Sequence, residues 1–420
     1  MENQLERQSS NFRWVILAMV TISGFVGMGF PTTSLPVLFS EIADDLGLEL
    51  VEIGFIWGVG SFMGIFTALV AGPIIDSFGT RRATIIIMFL IGALGMLRGI
   101  ATDFWTLFFF SFLYGFVQPT LPVTLIKINL MWFSPRQLGM ANGITSAGFA
   151  AGLLSGARLG ATVFSPALGG WQGVIFVTGG AGIVVALLWF FLHPRDQTQN
   201  TRPFDLPSII EGVRNVARFP ALWLVSLVGF SLFGLNRALI GYVPTYLREI
   251  GWKGTDADTA ISLFFFASLI GVIPLARLSD WLPGRYWVLG IAAISMTLGA
   301  LIMFFANGTG ALVFAAMIIS GVTFDGFMAT HNATLGEIKG LDVALVGTGV
   351  GFALALRNAG AAIAPPLGNS LTGLGLNAPF LIWVAFGSFA FVLLIYYHFN
   401  RHRFECSATQ SETPSGPRVI

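Results

Sequence analysis

The chain has 420 residues, of which 55% are hydrophobic and only 10% are charged. A water-soluble domain carries about 25% charged residues, so this composition excludes a soluble globular fold and predicts extensive contact with lipid. The 22 lysines and arginines nearly balance the 21 aspartates and glutamates, and this balance gives no indication of a nucleic-acid partner.

Apolar runs long enough to cross a bilayer recur along the whole chain. A helix needs about 20 apolar residues to cross a hydrocarbon core of about 30 Å. Twelve runs of this length are predicted, and their continuous apolar character excludes a closed β-barrel. In chain order, the predicted spans 1 to 12 are Trp14–Phe39, Gly54–Ile75, Ala83–Ala101, Phe104–Ile126, Leu138–Phe164, Gly173–Leu192, Ala221–Leu247, Thr259–Leu278, Trp287–Ala306, Gly310–Thr330, Val346–Leu371 and Phe380–His398.

The longest polar interruption divides the spans into two sets of six. We predict an N-terminal six-helix half over residues 1–193, a central loop over 194–220, a C-terminal six-helix half over 221–398 and a tail over 399–420. Within the loop, Pro207–Arg218 is either a short interfacial helix, with its isoleucines and valines on one side, or a plain flexible linker. The sequence leaves both alternatives open.

The polar segments differ in charge between the two sides of the predicted bundle. An excess of lysine and arginine marks the cytoplasmic side of a membrane protein. This rule places both termini and the central loop in the cytoplasm, and the expected location is a bacterial inner membrane. The basic residues on that side are Arg7, Arg13, Arg81, Arg82, Arg136, Arg195, Arg202, Arg214, Arg218, Arg285, Lys339, Arg401 and Arg403, whereas the first loop on the other side holds Glu41, Asp44, Asp45, Glu49 and Glu52.

Short motifs recur in the two halves in the same order. Span 1 contains GFVGMG from Gly24 to Gly29, and span 7 contains GFSLFG from Gly229 to Gly234. An Asp–Gly–Arg turn follows span 2, and a similar turn follows span 8 about 204 residues later. Together these matches indicate that the two halves are repeats. The turn residues are Gly72, Asp76, Gly79, Arg81 and Arg82 in the first copy, with Asp280 and Arg285 in the second.

The first turn resembles the loop motif of the major facilitator superfamily, with Thr80 at the position of its first basic residue. The resemblance extends over nearly the whole chain. It implies an all-α membrane protein with twelve transmembrane helices in two pseudo-symmetric six-helix halves, acting as a secondary active transporter and not as an enzyme. It also implies that the turn residues form a gating latch between the halves. The alternative is that they only fix the orientation of the chain.

Span 5 carries four glycines at four-residue spacing, Gly148, Gly152, Gly156 and Gly160. This spacing places them on one helix face, where another helix can approach closely. Static packing explains the pattern by itself. The functional alternative is a surface on which the two halves slide.

Ionisable residues deep in a span are costly and usually functional. Arg237 lies near the middle of span 7, Arg357 near the middle of span 11, and Arg158 nearer one end of span 5. An arginine keeps its proton and therefore needs a counter-charge. We predict that these three residues, with Asn236 beside Arg237, contact an anionic substrate.

Asp325 in span 10 is the acid nearest to these arginines in depth, and His331 follows it by less than two turns. Asp325 is expected either to pair with Arg237 or Arg357 or to carry a coupling proton together with His331. Arg98 and Lys127 lie near span ends, where we expect their side chains to snorkel toward water.

The sequence therefore predicts a monomeric transporter of a small anion, most simply an organic carboxylate, that works by alternating access with a proton as the candidate symported ion. The alternative function is efflux of amphipathic or hydrophobic compounds. No cofactor, metal or nucleic-acid partner is expected, because the chain has four histidines, one cysteine and no nucleotide-binding glycine loop.

Overall fold

The structure is a computed structural model that describes residues 11–192, 205–282, 284–336, 338 and 343–409. Within these ranges the side chains at 76, 135, 276, 280, 336, 343–344, 346 and 401–409 are not described. Twelve helices are long and apolar enough to cross a membrane, one for each predicted span. In chain order, α1 to α12 are Arg13–Leu46, Leu50–Phe78, Thr80–Arg98, Phe104–Trp132, Arg136–Leu168, Trp171–Leu192, Pro220–Glu249, Gly254–Trp281, Tyr286–Ala306, Gly310–Leu335, Val343–Asn369 and Pro379–Thr409.

Two ends of the bundle are distinguished by their charge. The basic end carries the α2–α3 turn at Gly79 and the start of α9 at Tyr286. The acidic end carries the α1–α2 turn at Gly47, where the acids Glu41 and Glu49 lie nearby. These two names are used below without reference to the sides of a membrane.

The acids of the predicted first loop lie mostly inside helices. The span prediction ended α1 at Phe39, but the helix continues to Leu46 and includes Glu41 and Asp45. The Glu41 carboxylate accepts hydrogen bonds from Ser165 Oγ and from the Trp171 backbone N–H, each at 2.7–2.8 Å. Asp45 accepts from Trp171 Nε1 at 2.9 Å. The prediction of a loop was wrong here because the helix ends only at Gly47, whose left-handed conformation caps it, and the two carboxylates bind Ser165 of α5 and Trp171 at the start of α6.

Three helices of the N-terminal half depart from α geometry close to a proline. A π turn covers Phe25–Gly29 in α1, one residue short of Pro31, and another covers Gly160–Phe164 in α5, one residue short of Pro166. A 3₁₀ turn that contains Pro119 interrupts α4. Proline has no N–H to donate to the carbonyl four residues earlier, so the backbone there pairs differently. By contrast, α7 runs without interruption from Pro220 to Glu249.

The two halves meet most extensively along α2 and α11. At the acidic end, Asn369 Nδ2 donates to the Leu50 carbonyl at 2.8 Å. Near the middle, Asn358 Nδ2 donates to the Gly64 carbonyl at 3.0 Å, and a Cβ on Gly64 would lie only 2.9 Å from that nitrogen. Two helices from different halves are therefore joined by buried polar contacts over several turns.

The glycine ladder of α5 packs within its own half. A Cβ on Gly152 would lie 2.8–3.0 Å from backbone atoms of Gly29 and Phe30 in α1. Gly148 and Gly156 also contact α1, and Thr33 Oγ1 donates to the Leu153 carbonyl at 2.7 Å. In this structure the ladder is a packing surface for α1, so the interpretation of it as a sliding surface between halves was wrong.

A short linker helix, Leu206–Val216, connects the halves. A Cβ on Gly212 would touch Thr348 of α11 at 3.4 Å, and Ile210 is largely exposed. This helix confirms the helical alternative for the second part of the central loop. The first part of the loop, residues 193–204, lies outside the described residues.

Candidate functional site

Arg237 lies on an aromatic ring that belongs to the other half. Its Cζ atom is 3.2 Å from the centroid of the Trp57 ring on α2. The Arg237 Nε atom is buried without a hydrogen-bond partner, and the guanidinium has no ion pair or hydrogen bond to any part of the chain that the structure describes. A cation stacked on the face of a tryptophan is stabilised electrostatically, but its N–H donors remain available to an anion.

The local packing explains how Trp57 reaches this position. Trp57 Nε1 donates to the backbone carbonyl of Arg237 at 2.8 Å, so the ring is fixed against α7. A Cβ on Gly241 would lie 2.5 Å from Trp57 Nε1, which means that only glycine permits this close approach one turn beyond Arg237. Phe39 of α1 also packs edge-on against the Trp57 ring, with ring centroids 5.6 Å apart.

Arg357 lies next to the preceding turn of α7. Its Cζ atom is 4.9 Å from the centroid of Phe233, which is one helical turn before Arg237. Arg357 Nη1 is 3.6 Å from Met328 Sδ, a weak acceptor, and Nε is buried without a partner. The structure therefore places Arg357 in the C-terminal half, against the turn of α7 that precedes Arg237, whereas Arg237 contacts the N-terminal half; each stacks on an aromatic ring in place of a counter-ion.

A third arginine, Arg98, also stacks on an aromatic ring and was missed as a site residue. Its Cζ atom is 3.9 Å from the centroid of Tyr114, and its side chain is only 7% exposed. The prediction that Arg98 snorkels to water was wrong. Arg98 is the last residue of α3, and helical side chains lean toward the helix N-terminus, so this side chain points back into the span. Lys127, the other residue expected to snorkel, is half-buried in α4.

Tyr114 connects this pair to the α7 site. Gly60 of α2 and Gly115 of α4 are in backbone contact, which brings Tyr114 close to the turn that carries Trp57. Tyr114 interacts electrostatically with both Arg98 and Arg237. The Tyr114 hydroxyl is buried and forms no hydrogen bond to the residues that the structure describes.

Asp325 pairs with neither of the two arginines predicted as its partners. Its Oδ2 atom accepts a hydrogen bond from Ser268 Oγ of α8 at 2.6 Å. The Asp325 backbone N–H in turn donates to Ser268 Oγ at 3.1 Å. A break in α10 after Val322 frees this N–H at the start of a new helical segment. Among the described residues no cation lies within ion-pair distance of Asp325, and burial of an unpaired carboxylate is costly.

His331 and Asn236 are both fully buried. His331 Nε2 lies 3.0 Å from the Val225 carbonyl, which can only accept, so Nε2 carries a proton. The other ring nitrogen, Nδ1, forms no hydrogen bond to a described residue, and the ring is close enough to Arg357 to interact with its charge. Asn236 Nδ2 contacts Met296 Sδ of α9 at 3.0 Å, so the amide is directed into the C-terminal half and away from Trp57.

Arg158 is not brought together with Arg237 and Arg357. Its side chain is exposed, and Nη1 donates to the Thr255 carbonyl at 3.4 Å, in the first turn of α8 at the acidic end. The neighbouring ion pair at this end joins Arg248 to Asp258, whose side chain is fully buried. Arg158 thus contributes a contact between the halves in this structure.

The predicted latch is described only in part. Gly79 has a φ of +80°, a conformation that favours glycine, and it ends α2 immediately before α3. Arg81 Nη2 donates to the Phe190 carbonyl of α6 at 2.9 Å, within the same half, and Arg82 is exposed. Arg285 Nη1 donates to Ser279 Oγ at 3.3 Å. The side chains of Asp76 and Asp280 lie outside the described part of the structure, so the latch remains a prediction.

The model of the Major Facilitator Superfamily matches residues 15–337 and 246–414. The chain belongs to this superfamily. Its twelve-helix fold, predicted from the sequence, is therefore confirmed, and the superfamily and its relatives are transporters rather than enzymes.

Two similar proteins are named as transporters of anions. "Probable galactarate/D-glucarate transporter GudP" of Escherichia coli K12 is 24% identical over 69% of this chain and 70% of its own length. "Probable nitrate/nitrite antiporter NarK1" of Thermus thermophilus is 27% identical over 75% of this chain and 70% of its own length. Among solved structures, an inward-facing bacterial homolog of the human lysosomal transporter Spinster superimposes with a TM-score of 0.74, covering 95% of this chain and 99% of that chain. At 16% identity this likeness concerns the fold alone.

Proposed function

We propose that this superfamily member is a secondary active transporter of a small organic anion, which it binds between its halves at Arg237 and Arg357. The observation that carries the proposal is the Arg237 guanidinium, stacked on Trp57 at the junction of the halves and without an acceptor among the described residues. Arginine remains charged at any physiological pH, so a carboxylate that binds here supplies the missing counter-charge and accepts paired N–H donors.

The relatives support the same cargo class. The names of the two proteins compared above refer to sugar dicarboxylates and to inorganic anions. A site that needs an anion and belongs to a family with anion-transporting members is best explained by an anionic substrate. We propose an organic carboxylate, because paired arginine N–H groups match the planar carboxylate in geometry.

A binding screen tests this proposal. Purified full-length protein in nanodiscs is titrated with carboxylates, phosphate and nitrate, and with lipophilic cations and neutral drugs as the alternative cargo. Arg237→Gln and Arg357→Gln should each weaken anion binding about tenfold or more, because a hydrogen-bonded charge contributes about 1.5–3 kcal/mol. The matched control is Arg214→Gln, an exposed arginine of the linker helix. Stabilisation by lipophilic compounds and by no anion would overturn the proposal.

Arg158→Gln tests the remaining predicted contact in the same screen. Because Arg158 lies at the acidic end against Thr255, we expect its loss to change anion affinity less than twofold. A loss as large as that of Arg237→Gln would return Arg158 to the binding site.

We further propose that the basic end faces the cytoplasm of a bacterial cell and that the structure represents the state open to that end. The asymmetric distribution of arginine supports the orientation. Contacts between α2 and α11 are continuous at the acidic end, whereas a Cβ on Gly72 or Gly347 near the basic end would meet no described atom within 4 Å. Cysteine labelling from either side of intact cells tests the orientation.

Proton coupling through Asp325 completes the proposal. Asp325 accepts from Ser268 and has no cation partner among the described residues, so a proton can balance its charge when no other partner is engaged. His331, close to Arg357, is the second candidate. Uptake into proteoliposomes should follow an imposed pH gradient in the native protein, and Asp325→Asn should remove that dependence while anion binding remains. Uptake that ignores the gradient would exclude this role.

A further inference from the structure

Arg98 is a buried cation that the α7 site does not explain. Its side chain is 7% exposed, and its Nε atom has no hydrogen-bond partner. It lines a narrow cavity between α1, α3, α4 and α6, together with Tyr114, Ser34 and Thr178. In the described part of the chain Arg98 has no acidic partner; its Cζ atom lies 3.9 Å from the centroid of the Tyr114 ring, and the guanidinium also interacts electrostatically with the Tyr114 hydroxyl.

The charge balance inside the spans is therefore uneven. Among the described side chains, Arg98, Arg237 and Arg357 each keep a buried Nε atom without a hydrogen-bond partner, and no ion pair joins any of them to Asp325 of α10. One acid cannot offset three cations, and uncompensated buried charge costs several kcal/mol for each ion. A bound monoanion would leave one of these cations without a counter-charge, whereas a dianion would balance the set.

Tyr114 is placed to connect the cations of the two halves. A cation above its ring withdraws electron density, which makes the phenol O–H a stronger donor. That hydroxyl is buried without a hydrogen-bond partner, and Tyr114 interacts electrostatically with both Arg98 and Arg237. An acidic group at the Tyr114 hydroxyl would thus lie in the field of Arg98, on the N-terminal side of the anion held by Arg237.

We infer that the transporter selects small dianions. One acidic group binds Arg237 and Arg357 in the C-terminal half, and the second accepts a hydrogen bond from Tyr114, with Arg98 as the positioning residue behind it. This inference rests on the proposed anion transport and adds the substrate class and the contribution of the N-terminal half. A matching substrate is long enough to reach from Arg237 to the Tyr114 hydroxyl with one acidic group at each end.

The test compares ligands that differ by one charge. Calorimetric titration of the full-length protein in nanodiscs at neutral pH uses two matched pairs, succinate with monomethyl succinate and D-glucarate with D-gluconate. In the native protein we expect the dianion of at least one pair to bind about tenfold tighter, as one additional charge-assisted hydrogen bond allows. Arg98→Gln should remove this preference by weakening the dianion alone, and the monoanion affinity should change less than twofold.

Tyr114→Phe keeps the ring under Arg98 and removes only the hydroxyl. This variant therefore tests the dianion preference a second time without removing a buried charge. It should also abolish the dianion preference, whereas Arg214→Gln should preserve it. Retention of the native preference in both Arg98→Gln and Tyr114→Phe, or equal native affinity for both members of each pair, overturns the inference and leaves anion transport intact. Failure of Arg237→Gln to weaken either ligand overturns the proposed function instead.

Discussion

Helices α1 and α7 carry the same glycine-bracketed motif in the two halves, yet their backbones differ. The motif from Gly24 to Gly29 contains a π turn, whereas that from Gly229 to Gly234 lies in a continuous α-helix. The two helices also differ in sequence just after the motif. Pro31 and Thr32 in α1 correspond to Asn236 and Arg237 in α7. The proline removes an N–H and loosens the N-terminal copy. The C-terminal copy stays regular and can hold a charged side chain in a fixed position.

Helices α1 and α7 each pack closely against a partner helix of their own half through a glycine of that partner. In the N-terminal half, Gly152 of α5 is in backbone contact with Gly29 of α1. In the C-terminal half, a Cβ on Gly360 of α11 would collide with the Phe230 carbonyl of α7. The comparison shows that the repeats share close helix packing and that their chemistry differs at neighbouring positions. Each prediction below alters one side of this comparison.

The largest expected effect comes from the packing glycines. Gly360→Ala and Gly152→Ala each place a methyl group on backbone atoms, which cannot move aside as a side chain tip can. We expect the free energy of unfolding to fall by about 1–3 kcal/mol or more, measured by thermal unfolding of purified protein. Gly180→Ala in α6 and Gly290→Ala in α9 are the matched controls, because a Cβ there meets no described atom within 4 Å. These controls should be neutral or slightly stabilising, and equal losses in all four variants would contradict the packing argument.

A smaller effect is expected at the ring that supports Arg237. Trp57→Phe keeps an aromatic face under the guanidinium and removes the Nε1–H bond to the Arg237 carbonyl. The free energy of unfolding should fall by about 1 kcal/mol for the lost hydrogen bond. Anion affinity should fall severalfold, less than in Arg237→Gln, because the charge remains. Phe39→Leu, which alters the edge contact with Trp57 within the buried core but leaves the Trp57 Nε1–H bond in place, is the comparison variant. An unchanged affinity in Trp57→Phe would show that the stacking does not position Arg237.

Sequence reasoning was adequate for the fold and incomplete for the site, for a physical reason. Span length depends on composition alone, so all twelve helices were predicted. The end of α1 was misplaced because hydropathy marks the apolar run and not the whole helix, which continues through Glu41 and Asp45 to its left-handed cap at Gly47. The stacking of Arg237 on Trp57 joins residues 180 positions apart, and no spacing rule indicates it.

The direction of helix α3 could have identified Arg98 as a buried residue. Its position at a span end suggested snorkelling, but the same position at a helix C-terminus directs the side chain inward. Tyr114, ten residues into α4, leans toward the N-terminus of its own antiparallel helix and so toward Arg98. Helix direction, which follows from the order of the spans, therefore carried information that depth alone did not.

Pro31→Ala tests whether the proline causes the π turn in α1. The alanine supplies an N–H within the helix, so we expect Phe25–Gly29 to tighten toward α geometry. Stability should change by less than about 1 kcal/mol. Hydrogen–deuterium exchange should show greater protection between residues 25 and 31, with Gly229–Gly234 of α7 as an internal reference. Unchanged exchange would mean that packing against α5 holds the π turn in place.

The smallest expected effect lies where α4 and α10 begin at corresponding places of the repeat. Asp103 precedes α4 and accepts a hydrogen bond from the Thr106 N–H at 2.9 Å, whereas Thr309 before α10 makes no side-chain cap. The Thr106 N–H lowers the pKa of the exposed Asp103 carboxyl in the folded state. Its contribution to stability is therefore present above the unfolded-state pKa and is lost as pH falls through the folded-state pKa.

Asp103→Ala should accordingly lower the melting temperature slightly at pH 7, and the difference from the native protein should shrink as the carboxyl becomes protonated in acid. Thr309→Ala should have no such pH-dependent effect, because Thr309 carries no charge and forms no cap. Melting curves of the three proteins between pH 3 and pH 7 make the comparison. A deficit for Asp103→Ala that persists unchanged at the lowest pH would show that the carboxylate charge does not support this cap, and that α4 and α10 begin in energetically equivalent ways.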